Sequence, residues 1–105
     1  MIHSAQRTIQ LRRYALVEGT YDDFLAWFQT TIPAVREGAG FTIEFAYGLR
    51  ESNEFVWAVS AEGSPDDFLE IETVYMASDA RAAAFDGVPQ RVASHDIRFV
   101  EDVVL

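Results

Sequence analysis

Arg12 and Tyr14 are the first residues along the chain whose types and spacing can do chemistry. They lie in RTIQLRRYALV (7–17), where apolar and polar positions alternate, so a strand would place both side chains on one face. A guanidinium there can hold a carboxylate or an enolate, and a phenol can donate to developing negative charge. The alternative is structural, with the Arg paired to an acid and the Tyr anchored by a hydrogen bond. The alternation also leaves the choice between Arg12 and Arg13 open.

Glu44 is a candidate for moving a proton, because it is the one acid in the alternating stretch FTIEFAYGL (41–49). In a dry pocket the pKa of this carboxyl would rise, and the group could then act as a general base. At the seam between two subunits it would instead pair with Arg12 or Arg98. The pattern supports both hypotheses.

His95 is the second candidate, since His is the usual proton shuttle near neutral pH. Asp96 follows it directly, and adjacent residues on a strand point to opposite faces, which argues against a His–Asp couple. The alternatives are a structural or solvated His and an axial haem ligand. His3 is a weaker candidate near the start of the chain, and two distant His residues without any Cys predict no metal site.

Aromatic residues at strand or helix spacing are predicted to line a cavity between a sheet and its helices. The chain holds eight Phe, four Tyr and two Trp, more than a solvated surface would carry. Such stripes ordinarily form a core, but the excess of aromatic residues here predicts a flat, apolar ligand. It also predicts a sheet that is covered on both faces, with the second face covered by self-association. The candidate ligand-binding residues are Phe28, Tyr47, Trp57 and Tyr75.

The sequence lacks several residue types and motifs that known chemistries require. With no Cys, disulfides, thiolate nucleophiles and Cys-ligated metals are excluded. All eight basic residues are Arg, and the lack of Lys excludes Schiff bases, covalently bound pyridoxal phosphate and a Walker-type phosphate loop. Hydrolase, zinc-protease and dinucleotide motifs are also missing, so we expect no cofactor.

The formal net charge of −9 argues against nucleic-acid and anionic-membrane partners, because an acidic surface repels phosphate groups. No apolar run approaches the roughly 20 residues that a membrane span needs. MIHSAQRTIQ at the start has no apolar segment typical of a signal peptide. We therefore expect a cytoplasmic protein that binds a small apolar metabolite.

The elements that must position these residues follow from periodicity. After the strand at 7–17, Thr20 is predicted to begin a helix, with Asp23 completing a capping box. Pro33 should kink or break this helix, because it removes one backbone donor. The apolar stripe of the helix is Phe24, Phe28, Ile32 and Val35.

The second half of the chain begins with a hairpin formed by FTIEFAYGL and EFVWAVSA (54–61). In the first of these strands, strict alternation would turn one set of side chains to one face: Phe41, Ile43, Phe45, Tyr47 and Leu49. A helix should follow with Pro65 at its first position and Asp67 as cap, then a short helix capped by Ser78. DIRFVEDVV (96–104) resembles a closing strand.

Two near-identical heptapeptides, EGTYDDF (18–24) and EGSPDDF (62–68), mark the strand-to-helix junction in each half. The resulting order β-α-β-β-α-β predicts a single α+β domain over residues 1–105, of the ferredoxin-like type with a four-stranded antiparallel sheet. The repeated acids suit helix N-termini, and their spacing does not match a calcium loop.

LRRYALVEGTYDDFLAWF, PAVREGAGF and NEFVWAVSAEGSPDDF together resemble the NIPSNAP family over roughly residues 9–85. The shared features are an L-R-x-Y strand, an aromatic helix with a Pro, a Gly-Phe before the hairpin and an Asn-x-Phe-Val-aromatic third strand. The resemblance implies a homodimeric α+β barrel in which two sheets pack face to face. The acidic stretch after Ser64 departs from the family pattern and weakens any transfer of substrate preference.

Relatives of this barrel class include cofactor-free monooxygenases, polyketide cyclases, isomerases and haem-binding proteins, so the resemblance implies several activities. Our hypothesis is a cofactor-independent enzyme that cyclises, isomerises or oxygenates an apolar, aromatic or polyketide-like metabolite. Arg12 would orient or neutralise an enolate, Tyr14 or Tyr47 would donate to it, and Glu44 or His95 would move the proton. The alternative is a non-catalytic ligand-binding or protein-interaction module, with haem binding third.

Overall fold

A computed structural model describes residues 6–105, so His3 lies outside the described residues. Four strands form one antiparallel sheet in the order β2-β3-β1-β4. This is the predicted ferredoxin-like architecture, with one additional short helix. The elements are β1 (Arg7–Leu16), α1 (Tyr21–Gly38), β2 (Thr42–Leu49), β3 (Glu54–Glu62), α2 (Pro65–Met76), α3 (Asp79–Phe85) and β4 (Val92–Val100).

The helices pack on one face of the sheet, which we call the helix face. The core lies between the helices and this face. Phe24, Phe28 and Ile32 of α1 are at most 4% exposed. They pack in one cluster with Phe55 and Trp57 of β3. Burying each such side chain contributes about 1.5–3 kcal/mol, so this aromatic layer is a main source of stability.

The two faces of β1 differ in their surroundings, and this settles which Arg meets the helices. Tyr14 and Arg12 point to the helix face, where Arg12 contacts Trp57. Arg13 lies on the opposite face, which we call the open face, and forms a two-pronged ion pair with Glu54 at 3.0 Å. Hydrogen bonds lower the pKa of Glu54 to about 2, and the bond from Arg13 has a larger effect than the bond from Ser52.

Strict alternation in β2 is wrong, because a bulge between Ile43 and Phe45 shifts the register against β3. Ile43 packs against the core, whereas Phe45 and Tyr47 turn to the open face and stack on each other. A bulge inserts one extra residue into a strand and so reverses the face of every side chain after it. Gly48 then falls on the helix face beneath Tyr21.

The two heptapeptides begin their helices differently. At α2 the predicted cap, Asp67, is wrong, because Ser64 is the cap. The two residues instead form a capping box, in which Asp67 N donates to the Ser64 hydroxyl and Ser64 N donates to the Asp67 carboxylate. At α1 the box is absent, because the Thr20 hydroxyl donates to the Val17 carbonyl and makes no cap hydrogen bond. Ser78 caps α3 as predicted.

Of the predicted kink or break at Pro33, the break does not occur, because helix α1 continues through this residue. The proline removes only the hydrogen bond to the carbonyl of Gln29, whose surroundings are exposed to solvent. Ile32 and Arg36 on either side are both 4% exposed, so packing holds the helix across this point.

On the open face, the described residues 6–105 provide no helix that covers the sheet. Phe45 and Tyr47 are 37% and 64% exposed there, and Arg7, Arg13 and Arg98 form ion pairs across or along the strands. Covering of this face by a second subunit stays a prediction. Among the helices in this part of the chain, none has the length and apolar character needed to cross a membrane. The cytoplasmic location also stays a prediction.

Gly63→Ala is expected to lower the free energy of unfolding by about 1–3 kcal/mol. Gly63 has φ of +99°, and an added Cβ would clash with the Asp67 carboxylate that completes the capping box. Gly38→Ala is the control, because a Cβ there meets nothing within 4 Å and the residue ends a helix. Urea denaturation should separate the two variants, and equal losses would contradict this account of the junction.

Candidate active site

A cavity of about 450 Å³ lies between the helix face of the sheet and the three helices. Side chains from β1, β3 and β4 form its floor, α1 and α2 form its walls, and α3 with the segment after it closes one side. Six of the eight candidate residues line it: Arg12, Tyr14, Phe28, Trp57, Tyr75 and His95. Strands and helices far apart in the sequence therefore bring these side chains together.

Tyr47 and Glu44 do not line this cavity, and the prediction that Tyr47 does so is wrong. The β2 bulge turns Tyr47 to the open face. Glu44 lies on that face as well, where it accepts hydrogen bonds from the Ser60 hydroxyl and from Arg7 Nε at 3.2 Å. Glu44 is thus paired, as one hypothesis held, but with Arg7 rather than with Arg12 or Arg98.

Tyr14 and His95 are direct cross-strand partners on the helix face. The Tyr14 hydroxyl accepts a hydrogen bond from Arg12 Nη1 at 3.1 Å. Because that bond occupies a lone pair, the hydroxyl keeps its own proton to donate into the cavity. A hydrogen-bond donor and an imidazole therefore lie side by side on the cavity floor, as an acid–base site requires.

Glu72 bridges Arg12 and Arg36. The sequence analysis predicted neither Arg36 nor Glu72 as a site residue. Arg12 Nη2 donates to Glu72 Oε2 at 2.9 Å, and Arg36 Nη1 donates to Glu72 Oε1. The side chains of Arg12, Arg36 and Glu72 are only 12%, 5% and 16% exposed, so the ion cluster is largely shielded from solvent, with Arg36 itself buried. Gln10 completes it by accepting from Arg12 Nε at 2.8 Å.

Aromatic rings surround the Arg36 guanidinium. Its carbon lies 4.2 Å from the Tyr75 ring centroid, 4.8 Å from that of Phe41 and 5.5 Å from that of Trp57. Such stacking partly replaces the hydration that the cation loses on burial. Burial also raises the pKa of Tyr75, against the opposing effect of Arg36, so the phenol stays neutral and can donate a hydrogen bond.

Helical spacing was the signal that could have revealed the missed residues. The buried positions of α1 are 24, 28, 32 and 36, each four apart, so Arg36 continues the apolar stripe. Glu72 lies four residues after Phe68 and three before Tyr75, the two buried residues of α2. A charged residue of each sign on a buried stripe predicts an ion pair between the helices.

Two buried donors near the cavity have no hydrogen-bond partner within residues 6–105: Trp57 Nε1 and Arg36 Nε. Buried donors are nearly always paired in native proteins, and both of these residues line the cavity. In the described part of the chain no three His, Cys, Asp or Glu side chains are grouped closely enough to hold a metal ion. The site therefore offers donors, positive charge and aromatic surface.

Glu72→Gln is expected to lower the free energy of unfolding by about 3–5 kcal/mol, because two buried guanidiniums then lose their counter-charge. Asp22→Asn is the control, since the Asp22–Arg50 pair is 79% and 69% exposed and solvent screens it. Urea denaturation of both variants is the measurement. An equally small change in both would mean that the cluster does not hold the elements together.

No family model matches the chain, and no curated protein matches it. Solved structures do. A NIPSNAP family protein from Agrobacterium tumefaciens superposes with a TM-score of 0.82 at 13% identity, covering 98% of this chain and 91% of that one. An uncharacterised NIPSNAP domain protein from Burkholderia xenovorans gives 0.77 at 12% identity, with 91% and 94% covered.

A candidate antibiotic biosynthesis monooxygenase from Bacteroides thetaiotaomicron is also similar, with a TM-score of 0.70 at 11% identity over 94% of this chain and 91% of that one. At these identities the likeness is one of fold. The structures that it resembles include NIPSNAP proteins described as uncharacterised or of unknown function and a protein named as a monooxygenase. The chain has the ferredoxin-like fold of the solved NIPSNAP family proteins.

Proposed function

We propose that the chain binds a small, largely apolar, aromatic or polyketide-like metabolite and acts on it by cofactor-independent acid–base chemistry. The observation that carries the proposal is the pairing of Tyr14 with His95 on the floor of an aromatic cavity, beside the Arg12 guanidinium. A donor, a base and a positive charge at one place are the parts that enolate chemistry uses.

Each residue has a role in this scheme. His95 removes a proton from an activated C–H group and later returns it or passes it to solvent. Tyr14 donates a hydrogen bond to the oxygen on which negative charge develops, and Arg12 stabilises that charge through its hydrogen bond to Tyr14. Phe28, Trp57 and Tyr75 provide flat apolar surface for the rest of the ligand. Glu44 lies outside the cavity and has no role here.

The first step is common to cyclisation, isomerisation and oxygenation, since each begins with the loss of a proton from carbon. Oxygenation of a CH₂ group additionally needs dioxygen, which yields a carbonyl and water. A neighbour named as a candidate antibiotic biosynthesis monooxygenase supports this branch. The shared first step makes proton abstraction the property to measure.

The competing function is non-catalytic binding of a ligand or of a protein partner. The Glu72 bridge favours non-catalytic binding, because the Glu72 carboxylate already neutralises part of the positive charge that a reaction would use. Haem handling is a third possibility in which His95 would be the axial ligand. A Soret band in the purified protein would support haem handling over both others.

The proposal includes a homodimer in which the open faces of two sheets pack against each other. Phe45, Tyr47 and Val100 expose apolar surface on or beside that face. Arg13–Glu54 and Arg98–Asp96 place both signs of charge there, so the face can complement a second copy of itself.

His95→Gln is expected to reduce proton abstraction by about 100-fold or more, while binding is retained. The readout is deuterium incorporation from D₂O at the benzylic CH₂ of 2-tetralone, followed by mass spectrometry against a buffer blank. Glu44→Gln is the matched control, because it removes an acid on the other face and should exchange at the parent rate. Binding of 2-tetralone without any acceleration of exchange in the parent protein would favour the non-catalytic module.

Native mass spectrometry is expected to give twice the 11.8 kDa mass of one chain. Phe45→Glu should shift the population to monomer, because it places a charge on the apolar part of the open face. Val74→Glu is the control, since Val74 is 72% exposed on α2, away from that face. A parent protein that stays monomeric at micromolar concentration would contradict the dimer.

A further inference from the structure

We propose that the ligand carries one negative charge, of the carboxylate kind, and that Arg81 of α3 is the residue that binds it. This inference rests on the proposed function, because it assumes that the aromatic cavity is the ligand site. It adds the chemical class of the ligand. It also adds a specificity-determining residue that is not among the site residues predicted from the sequence.

The charge of the cavity wall points to an anion. Three guanidiniums line the cavity, those of Arg12, Arg36 and Arg81, against the single carboxylate of Glu72. The protein as a whole carries a formal net charge of −9, so the wall is opposite in sign to the molecule around it. A cleft of one sign with low-dielectric walls attracts ligands of the other sign.

Arg81 is the member of this set that is free to bind. Arg12 and Arg36 are both engaged by Glu72. Arg81 forms no ion pair within residues 6–105, and it lies over the ring of Phe85, 4.2 Å from the centroid, one turn further along α3. Stacking fixes the plane of the guanidinium, which then presents its paired N–H groups to a carboxylate.

Helix α3 is weakly attached to the rest of the molecule. Within Asp79–Phe85 no side chain is buried. Its contacts with α1 include a hydrogen bond from Trp27 Nε1 to the Ala84 carbonyl at 3.2 Å and the Phe85 ring packed edge-on against Trp27 at 5.0 Å. Gly87, with φ of +71°, follows the helix. An anion held between Arg81 and the cavity would therefore add an attachment that α3 lacks.

The arrangement selects for two features at once. An aromatic body fits against Phe28 and Trp57, while an acidic group at its end reaches α3. A neutral aromatic compound would gain only the first contact. We therefore expect aromatic monocarboxylates to bind more tightly than neutral analogues of the same shape, and we expect only the acids to stabilise α3.

Isothermal titration with 2-naphthoate and with neutral 2-naphthol tests this expectation. The parent protein should bind the acid about tenfold or more tightly than the alcohol, as a charge-assisted pair implies. Arg81→Gln should remove that preference and leave the affinity for 2-naphthol unchanged, while Arg81→Lys should keep part of it. Arg98→Gln is the control, because it removes the same charge from an exposed side chain on the open face.

Hydrogen exchange of the α3 amides is the second readout. 2-Naphthoate should slow their exchange in the parent and in Arg98→Gln but not in Arg81→Gln, and 2-naphthol should slow it in none of them. Equal binding of both probes to the parent, or an unchanged preference in Arg81→Gln, would overturn this inference and leave the proposed function standing. Binding of neither probe to any variant would overturn both.

Discussion

The Glu72 carboxylate, held between two guanidiniums, is the interaction on which the rest of this structure depends. It joins α2 to β1 through Arg12 and to α1 through Arg36, so three elements meet at one buried charge. Without it, two positive charges would face each other among aromatic rings that cannot solvate them. The cluster also determines the character of the cavity, because it fixes Arg12, through which Tyr14 is oriented. Of the three guanidiniums that line the cavity, it leaves that of Arg81 without an ion pair in the described residues.

Periodicity and turn chemistry predicted the order of elements, because those signals are local. The repeated heptapeptide located both strand-to-helix junctions, and Ser78 caps α3 as predicted, whereas the cap of α2 is Ser64 rather than Asp67. The errors arose where tertiary contacts outweigh local preference. Packing of Ile32 and Arg36 carries α1 through Pro33. The missing box at Thr20 has a local cause instead, because the Thr20 hydroxyl donates to the Val17 carbonyl three residues earlier. The β2 bulge depends on pairing with β3, which no property of FTIEFAYGL reveals.

The candidate site was predictable to the extent that it lies on β1, β3 and β4, because side chains alternate along a strand and their positions determine which face of the sheet they occupy. Arg12, Tyr14 and His95 share the helix face because antiparallel pairing places them in register, and that register follows from the fold. Arg36 and Glu72 were missed because an apolar stripe was assumed to end where charge begins. Arg81 could not be predicted, because its role depends on how α3 lies over a cavity rather than on any motif.

The positions of the two tryptophans have an optical consequence. Both line the cavity, but Trp57 lies beside the guanidiniums of Arg12 and Arg36, whereas Trp27 lies against α3. Indole emission responds to nearby charge and to solvent, so each residue reports on a different part of the cavity. Replacing one tryptophan with Phe would leave a single indole, which can be excited selectively over the four tyrosines. The emission of the unlabelled protein could then follow the ion cluster and the movement of α3 as separate signals in time.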